Sequence, residues 1–143
     1  MILYAESSAV LAWIFEEARS DRVQDVLGAA ARVVSSDLTL LECDRAFLRA
    51  AAVGEVDAGE AAQMSALLDA AAANWTLYPL RAEIVDRARR PFPREPVRSL
   101  DALHLAAALI ARDIRPQLAF LSLDQRLREN AAALGFEVVP AGT

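Results

Sequence analysis

Five short apolar runs recur along this chain, each separated from the next by at least one stretch with helical spacing. ILYA at 2–5 reads as a buried strand and RVVSS at 32–36 as a β-branched one, while NWTLYPL (74–80), LAFLS (118–122) and FEVV (136–139) supply three more. Between them lie helical patterns. SSAVLAWIFEE (7–17) opens on serines suited to an N-cap, and RVQDVLGAA follows Ser20 or Asp21. LTLLECDRAFLRAAA (38–52) follows Asp37 as its cap and ends at Gly54, and VDAGEAAQMSALLDAAAA (56–73) spaces Asp57 and Glu60 as a capping box. RAEIVDRARR (81–90), LDALHLAAALIAR (100–112, capped by Ser99) and DQRLRENAAALG (124–135) complete the set. Parallel strands need crossovers of about a dozen residues or more, usually a helix. The alternation therefore predicts an α/β fold: an open, mostly parallel sheet with helices on both faces. PFPREP breaks regular structure with three prolines but is too short and central for a linker, so residues 1–143 read as a single domain.

Right-handed crossovers bring every strand-to-helix turn to one edge of such a sheet, and ligands bind there, where the strand order reverses. Four acids can converge on that edge. Glu6 follows the first strand, Asp124 follows the fourth, Glu42 lies one turn into the helix after the second, and Asp101 begins the helix before the fourth. Carboxylates crowded together repel, so they must be protonated or share a cation. A donor set of oxygens alone selects Mg²⁺ or Mn²⁺ over zinc or copper. Such an ion can bind a phosphate oxygen and activate water for attack in line with the leaving group.

Each acid also has a plainer account. Asp101 and Asp124 stand at helix starts, where aspartate caps backbone N–H groups; taken alone, Asp124 is better explained so. Asp101 opens a helix that is apolar almost all round until Arg112, and such a helix is buried, so its carboxylate needs a partner. Glu42 shares a helix stripe with Arg45 and Arg49, the spacing of a surface salt-bridge ladder, and the two readings stand even. Glu6 can hydrogen-bond the N–H groups of its own turn. One shared cause accounts for four acids at one edge better than four separate ones.

Composition removes the main alternatives. The formal net charge is −5, so nucleic acid would be held by a local basic patch rather than a global field. All fifteen basic residues are arginines; a phosphoacceptor receiver domain needs a lysine that is absent here. ESS after the first strand lacks the paired aspartates of a dehalogenase-like phosphatase. The five glycines are scattered singly, with no phosphate loop. His104 is the only histidine, so a serine–histidine–aspartate triad would have to use it, and within ALHLAAA it reads as a hydrogen-bonded core residue. Cys43 is alone, reads as packing, and suits a reducing cytoplasm. The N-terminus does not read as a signal peptide, and ALHLAAALIA is about half a membrane span. A soluble, cytoplasmic protein with no membrane partner is expected. RARRPFPREPVR (87–98) carries five arginines against one glutamate and leads into Asp101. It is either a solvated loop or a cradle in which Arg90, Arg94 and Arg98 hold a phosphate backbone while Phe92 stacks on a base.

With these residues placed, the chain resembles the PIN-domain family, in particular the VapC-type toxins of bacterial toxin–antitoxin pairs. YAESSAVLAW is similar to the first family motif and SSDLTLLECDRAFLRA to the second. SLDALHLAAAL resembles the third, and FLSLDQRLRENAAALGFEVV the last, with Ser122 and Asp124 on its serine-or-threonine, any residue, aspartate pattern. The likeness runs in order through essentially the whole chain. It implies a three-layer α/β/α fold with five parallel strands ordered 3-2-1-4-5. It implies a Mg²⁺- or Mn²⁺-dependent endoribonuclease leaving 5′-phosphate and 3′-hydroxyl ends. It further implies a homodimer inhibited by a small VapB-type antitoxin. By position, Glu6, Glu42, Asp101 and Asp124 become the acids of the site, with Glu6, Asp101 and Asp124 on the metal. Ser8 and Ser122 orient ligands or water, and Arg45 and Arg49 join the loop arginines on RNA. His104 falls on a position usually structural. The family's first acid is normally aspartate, and here it is Glu6. A folded-back glutamate still reaches a metal, so the expectation is activity that is retained, slowed or shifted toward manganese. The contrary expectation is a weakened PIN-like module that binds RNA or protein without cutting.

Overall fold

The computed structural model describes residues 1–142. Its strands are β1 (Ile2–Ala5), β2 (Arg32–Ser36), β3 (Thr76–Tyr78), β4 (Ala119–Leu121) and β5 (Val138–Val139). The helices are α1 (Ser7–Ile14), α2 (Ser20–Ala29), α3 (Asp37–Ala52), α4 (Ala58–Ala72), α5 (Ala82–Ala88), α6 (Ser99–Ile114) and α7 (Gln125–Ala133). All strand pairings are parallel, in the order β3-β2-β1-β4-β5. The expected three-layer α/β/α fold and strand order are observed.

Strand alternation builds the layers, because successive side chains point to opposite faces. Leu3 and Ala5 of β1, with Ala119 and Leu121 of β4, pack under Val10 of α1, Val23 of α2, Phe47 of α3 and Leu68 of α4. Tyr4 and Phe120 point the other way, toward Ile84 of α5, Leu105 of α6 and Leu127 of α7. Their rings stack at 5.6 Å between centroids, 12° from parallel. Each large apolar side chain withdrawn from water contributes about 1.5–3 kcal/mol. The run from Leu105 to Ala108 is buried throughout, as an apolar helix requires. No described helix is long and apolar enough to cross a membrane.

The reversal of strand order falls between β1 and β4, and Ala5 pairs with Leu121 there. The next residue on each strand is therefore Glu6 on one and Ser122 on the other. That register, set by the two short strands, positions the site.

Helix starts differ from the sequence reading at several points. Glu6, not a serine, is the N-cap of α1 and accepts the Ser8 N–H. β2 runs straight into α3, so Ser36 takes the cap position without a side-chain bond, and Asp37 moves into the first turn, where its charge favours the helix dipole. Ser99 and Ser20 likewise lie inside α6 and α2, after Arg98 and Arg19. The Ser20 hydroxyl instead donates to the Trp13 carbonyl at 3.1 Å. α1 ends at Ile14 rather than continuing to Glu17, and Glu16 adopts a positive φ of 55° in the turn. The capping box of Asp57 and Glu60 is present. Gly54 (φ 80°) follows the end of α3 in a left-handed conformation that glycine adopts without steric cost.

Candidate active site

Glu6 leaves the end of β1 with its carboxylate turned across the seam to β4. Oε1 accepts hydrogen bonds from the Ser8 hydroxyl at 2.5 Å and the Ser122 hydroxyl at 2.6 Å. Oε2 accepts the Ser8 backbone N–H at 2.9 Å. Each serine is fixed from its other side: Ser8 Oγ accepts the Leu123 N–H at 2.9 Å and Ser122 Oγ the Asp124 N–H at 3.1 Å. The two expected supporting serines thus spend their hydrogens on Glu6 itself. Glu6 is only 4% exposed, so these bonds offset the cost of removing its carboxylate from water.

Asp124 caps α7, accepting the Leu127 N–H at Oδ1 (3.1 Å). Capping thus accounts for one of its oxygens. Asp101, in the first turn of α6, has no side-chain hydrogen-bond partner among the described residues. Burial, then the nearby carboxylates of Asp124 and Glu6 with a smaller share from Glu42, holds its carboxyl above the ordinary 3.8; His104 opposes this. The four acids from distant parts of the chain therefore share one electrostatic field.

Glu42 does not join a salt-bridge stripe with Arg45 and Arg49. Its Oε1 receives the Ser7 hydroxyl at 2.6 Å and lies 2.5 Å from His104 Nε2, the one contact within 4 Å between a basic side chain and a carboxylate among the described residues. Burial opposes ionisation of Glu42, but the hydrogen bonds from His104 and Ser7 outweigh it and hold the carboxyl below the ordinary 4.5. On the far side of the imidazole, Nδ1 lies 2.9 Å from the Tyr4 hydroxyl, which is 3.0 Å from Ser36 Oγ.

The PIN domain family matches residues 3–133 of this sequence. The chain belongs to the PIN-domain family. Ribonuclease VapC35 of Mycobacterium tuberculosis, in both strain CDC 1551 / Oshkosh and strain H37Rv, is 34% identical to this PIN domain over 143 residues, covering 99% of this chain and 98% of that protein. Among solved structures, M. tuberculosis VapC20, described as a sarcin–ricin loop cleaving toxin, superposes with a TM-score of 0.64 at 17% identity, covering 95% of this chain and 96% of the other. A toxin–antitoxin complex from Klebsiella pneumoniae gives a TM-score of 0.63 at 16% identity, covering 96% and 95%. At those identities the two structures establish the shared fold.

The donor set of this PIN domain suits a hard divalent cation: oxygens alone, with Asp101 raised by burial and by its acidic neighbours. Among the described residues, no three acids, histidines or cysteines form a group able to hold an ion as their side chains lie. Mg²⁺ accepts that situation, since it keeps several waters and commonly takes only one or two carboxylates plus substrate phosphate. Asp101, and the Asp124 oxygen not used in capping, are the freest donors for it; both Glu6 oxygens are already engaged.

The arginines separate into two groups. Arg45 lies one turn from Glu42 on α3, with Arg49 a turn beyond, and Arg98 immediately precedes α6; all three are exposed. Arg90 instead borders a hollow with Leu109, Ile110 and Asp113, on the half of α6 remote from Asp101. The Arg94 backbone is fixed to the Asn130 side chain at 2.9 Å. Phe92 is not available to stack on a base. It is 5% exposed in the core under Arg87, whose guanidinium sits 4.4 Å from its ring centroid. Glu95 accepts the N–H groups of Phe92 and Val97, which folds the loop inward. Sequence reasoning missed Ser7, Tyr4 and the contact of His104 Nε2 with Glu42. The one available signal was a histidine one turn after Asp101, on the buried side of α6.

Proposed function

We propose that this PIN domain is a Mg²⁺- or Mn²⁺-dependent endoribonuclease that acts as the toxin of a toxin–antitoxin pair. It hydrolyses RNA phosphodiester bonds to leave 5′-phosphate and 3′-hydroxyl ends. The observation that carries this reading is the unpartnered Asp101 carboxyl, held above its ordinary value by burial and then by Asp124 and Glu6, at the point where strand order reverses. The ribonuclease named among its relatives over the full length supports the same reaction. A bound divalent ion would supply Lewis-acid stabilisation of a phosphate oxygen and activation of water.

In this reading Asp101 and Asp124 hold the ion, and Glu6 completes the acidic set from behind, braced by Ser8 and Ser122. Glu42 orients the attacking water or the leaving oxygen from the opposite helix. Arg98 and Arg45 bind backbone phosphates, Arg49 and Arg94 extend that surface, and Arg90, beside the far half of α6, is the most remote from Asp101 along that helix. The partners are RNA, a VapB-type antitoxin and a second copy of the chain; a neighbour solved as a toxin–antitoxin complex supports the antitoxin. Exposed Leu41, Leu48 and Leu67 on α3 and α4 offer apolar surface for it. A cytoplasmic location follows from an RNA substrate.

The test is cleavage of defined RNAs by the full chain with Mg²⁺ or Mn²⁺, with and without chelator, and mapping of the ends. Metal-dependent cutting that Asp101→Asn abolishes supports the reading. A second reading, a weakened module that binds without cutting, draws on the engagement of both Glu6 oxygens. Tight RNA binding with no cutting in either metal would favour it.

A further inference from the structure

Five elements of the fold meet at one imidazole. His104 of α6 lies between Glu42 of α3 and Tyr4 of β1, with Ser7 of α1 and Ser36 of β2 closing the two ends. His104 is 1% exposed and Tyr4 fully buried, so neither side chain has access to water. Both ring nitrogens are committed to side chains, one of them to a site acid. Any buried histidine needs partners for its ring nitrogens; what sets this one apart is that one of those partners is Glu42.

The hydrogens in this chain are largely determined. An ionised carboxylate can only accept, so Nε2 must carry its hydrogen and donate it to Glu42 Oε1. Ser7 Oγ, 3.1 Å from Nε2, donates to the same oxygen. Burial, the dominant cause, pushes the Tyr4 hydroxyl far above its ordinary value, so it retains a hydrogen to give. Tyr4 can thus donate to Nδ1 while accepting from Ser36. Held in this way, the imidazole cannot rotate without breaking contacts on two sides. Glu42 Oε1 is saturated, whereas Oε2 has no hydrogen-bond partner among the described residues. Immobilising a free glutamate side chain costs rotamer entropy; here that cost is met on folding rather than on substrate binding.

We infer that His104 is a positioning residue for the cleavage reaction: braced by Tyr4, it clamps Glu42 Oε1 and so presents Oε2 to the substrate. The inference rests on the ribonuclease reading, and it makes His104 part of the machinery through Glu42 rather than by touching RNA. Partners that orient a site group from behind typically affect rate by about 10- to 100-fold.

Steady-state cleavage by the full chain tests it. His104→Leu should lower kcat about 10- to 100-fold with KM nearly unchanged. His104→Gln, which keeps an N–H near the Nε2 position, should recover most of the loss. In a Glu42→Gln background, His104→Leu should cause no further loss. A loss of equal size in both backgrounds would mean a packing role only and would overturn the inference. If His104→Leu does not fold by thermal melting, Tyr4→Phe, which removes only the brace, should give a smaller kcat loss that likewise vanishes in the Glu42→Gln background. One measurement is independent of cleavage. The chain has a single histidine, so its downfield N–H proton resonance is unambiguous and should move sharply in Glu42→Ala. A resonance indifferent to Glu42 overturns the clamp, whereas a chain that cuts no RNA but retains the shifted resonance overturns the ribonuclease reading alone.

Discussion

Ser122 donates a 2.6 Å hydrogen bond to Glu6 from the end of the neighbouring strand, so the longer acid is accommodated rather than left to reach into the groove. Shortening it to aspartate withdraws the carboxylate by about 1.5 Å. Glu6→Asp should keep the α1 cap but lose the hydrogen bond donated by Ser122, at a cost of about 1 kcal/mol in thermal or denaturant unfolding. Its Mg²⁺-dependent cleavage should match or exceed that of the parent. Glu6→Gln places an amide against donors and should lose both stability and cleavage. Parent-like cutting by Glu6→Gln would remove Glu6 from the reaction.

Asp101 and Glu42 should show opposite pH dependence. Asp101 has a raised folded value, so its favourable share is full below its ordinary 3.8 and is lost as pH rises through the folded value. At pH 7 the ionised group therefore opposes folding, and Asp101→Asn should melt higher than the parent, with the gap closing in acid. Glu42 has a depressed folded value, so its share is present above 4.5 and lost as pH falls through the folded value. Glu42→Gln should melt lower at pH 7. Melting curves across pH check both signs.

Added Mg²⁺ should stabilise the parent more than Asp101→Asn, because an ion that binds only the folded state stabilises by mass action. The same substitution should reduce cleavage by at least about 100-fold. Equal stabilisation of the two chains by Mg²⁺ would place the ion elsewhere.

RNA binding by the non-cutting Asp101→Asn chain should weaken with salt in proportion to the phosphates contacted. Removing one phosphate contact to a single strand should lower the salt slope by about 0.7. Arg98→Ala and Arg45→Ala should do so, while Arg90→Ala should have the smallest effect, since Arg90 borders the half of α6 roughly 12 Å along the axis from Asp101.

Away from the site, Asp57→Ala removes one half of the α4 capping box and should cost about 1 kcal/mol in unfolding, with cleavage unchanged.

The parallel sheet, the helical layers on its two faces and the edge bearing the acids were legible in the sequence because they follow from apolar period and crossover handedness, whereas the strand order was implied only by the resemblance to the PIN-domain family. β2 was placed at its observed bounds, and the Asp57–Glu60 box was correct, since both are local patterns. What was not legible depends on where side chains point across elements. The stripe of Glu42, Arg45 and Arg49 looked like a salt ladder because helix spacing cannot reveal that a histidine 62 positions later stands closer. Phe92 looked exposed between prolines, but the inward fold of its loop depends on Glu95 accepting two backbone N–H groups. The residues at helix starts suggested caps, yet Ser7, Ser20, Asp37 and Ser99 each stand one residue inside their helices, after Glu6, Arg19, Ser36 and Arg98.

Glu6 precedes its partner Ser122 by 116 positions. The acidic edge is therefore incomplete on any nascent chain that has not yet delivered β4 to the side of β1. Until that strand docks, Glu6 has no cross-strand donor and Asp124 has no fixed place. Cutting power would be acquired only once β4 has docked, leaving an interval in which the growing chain is harmless to the RNA of the ribosome making it.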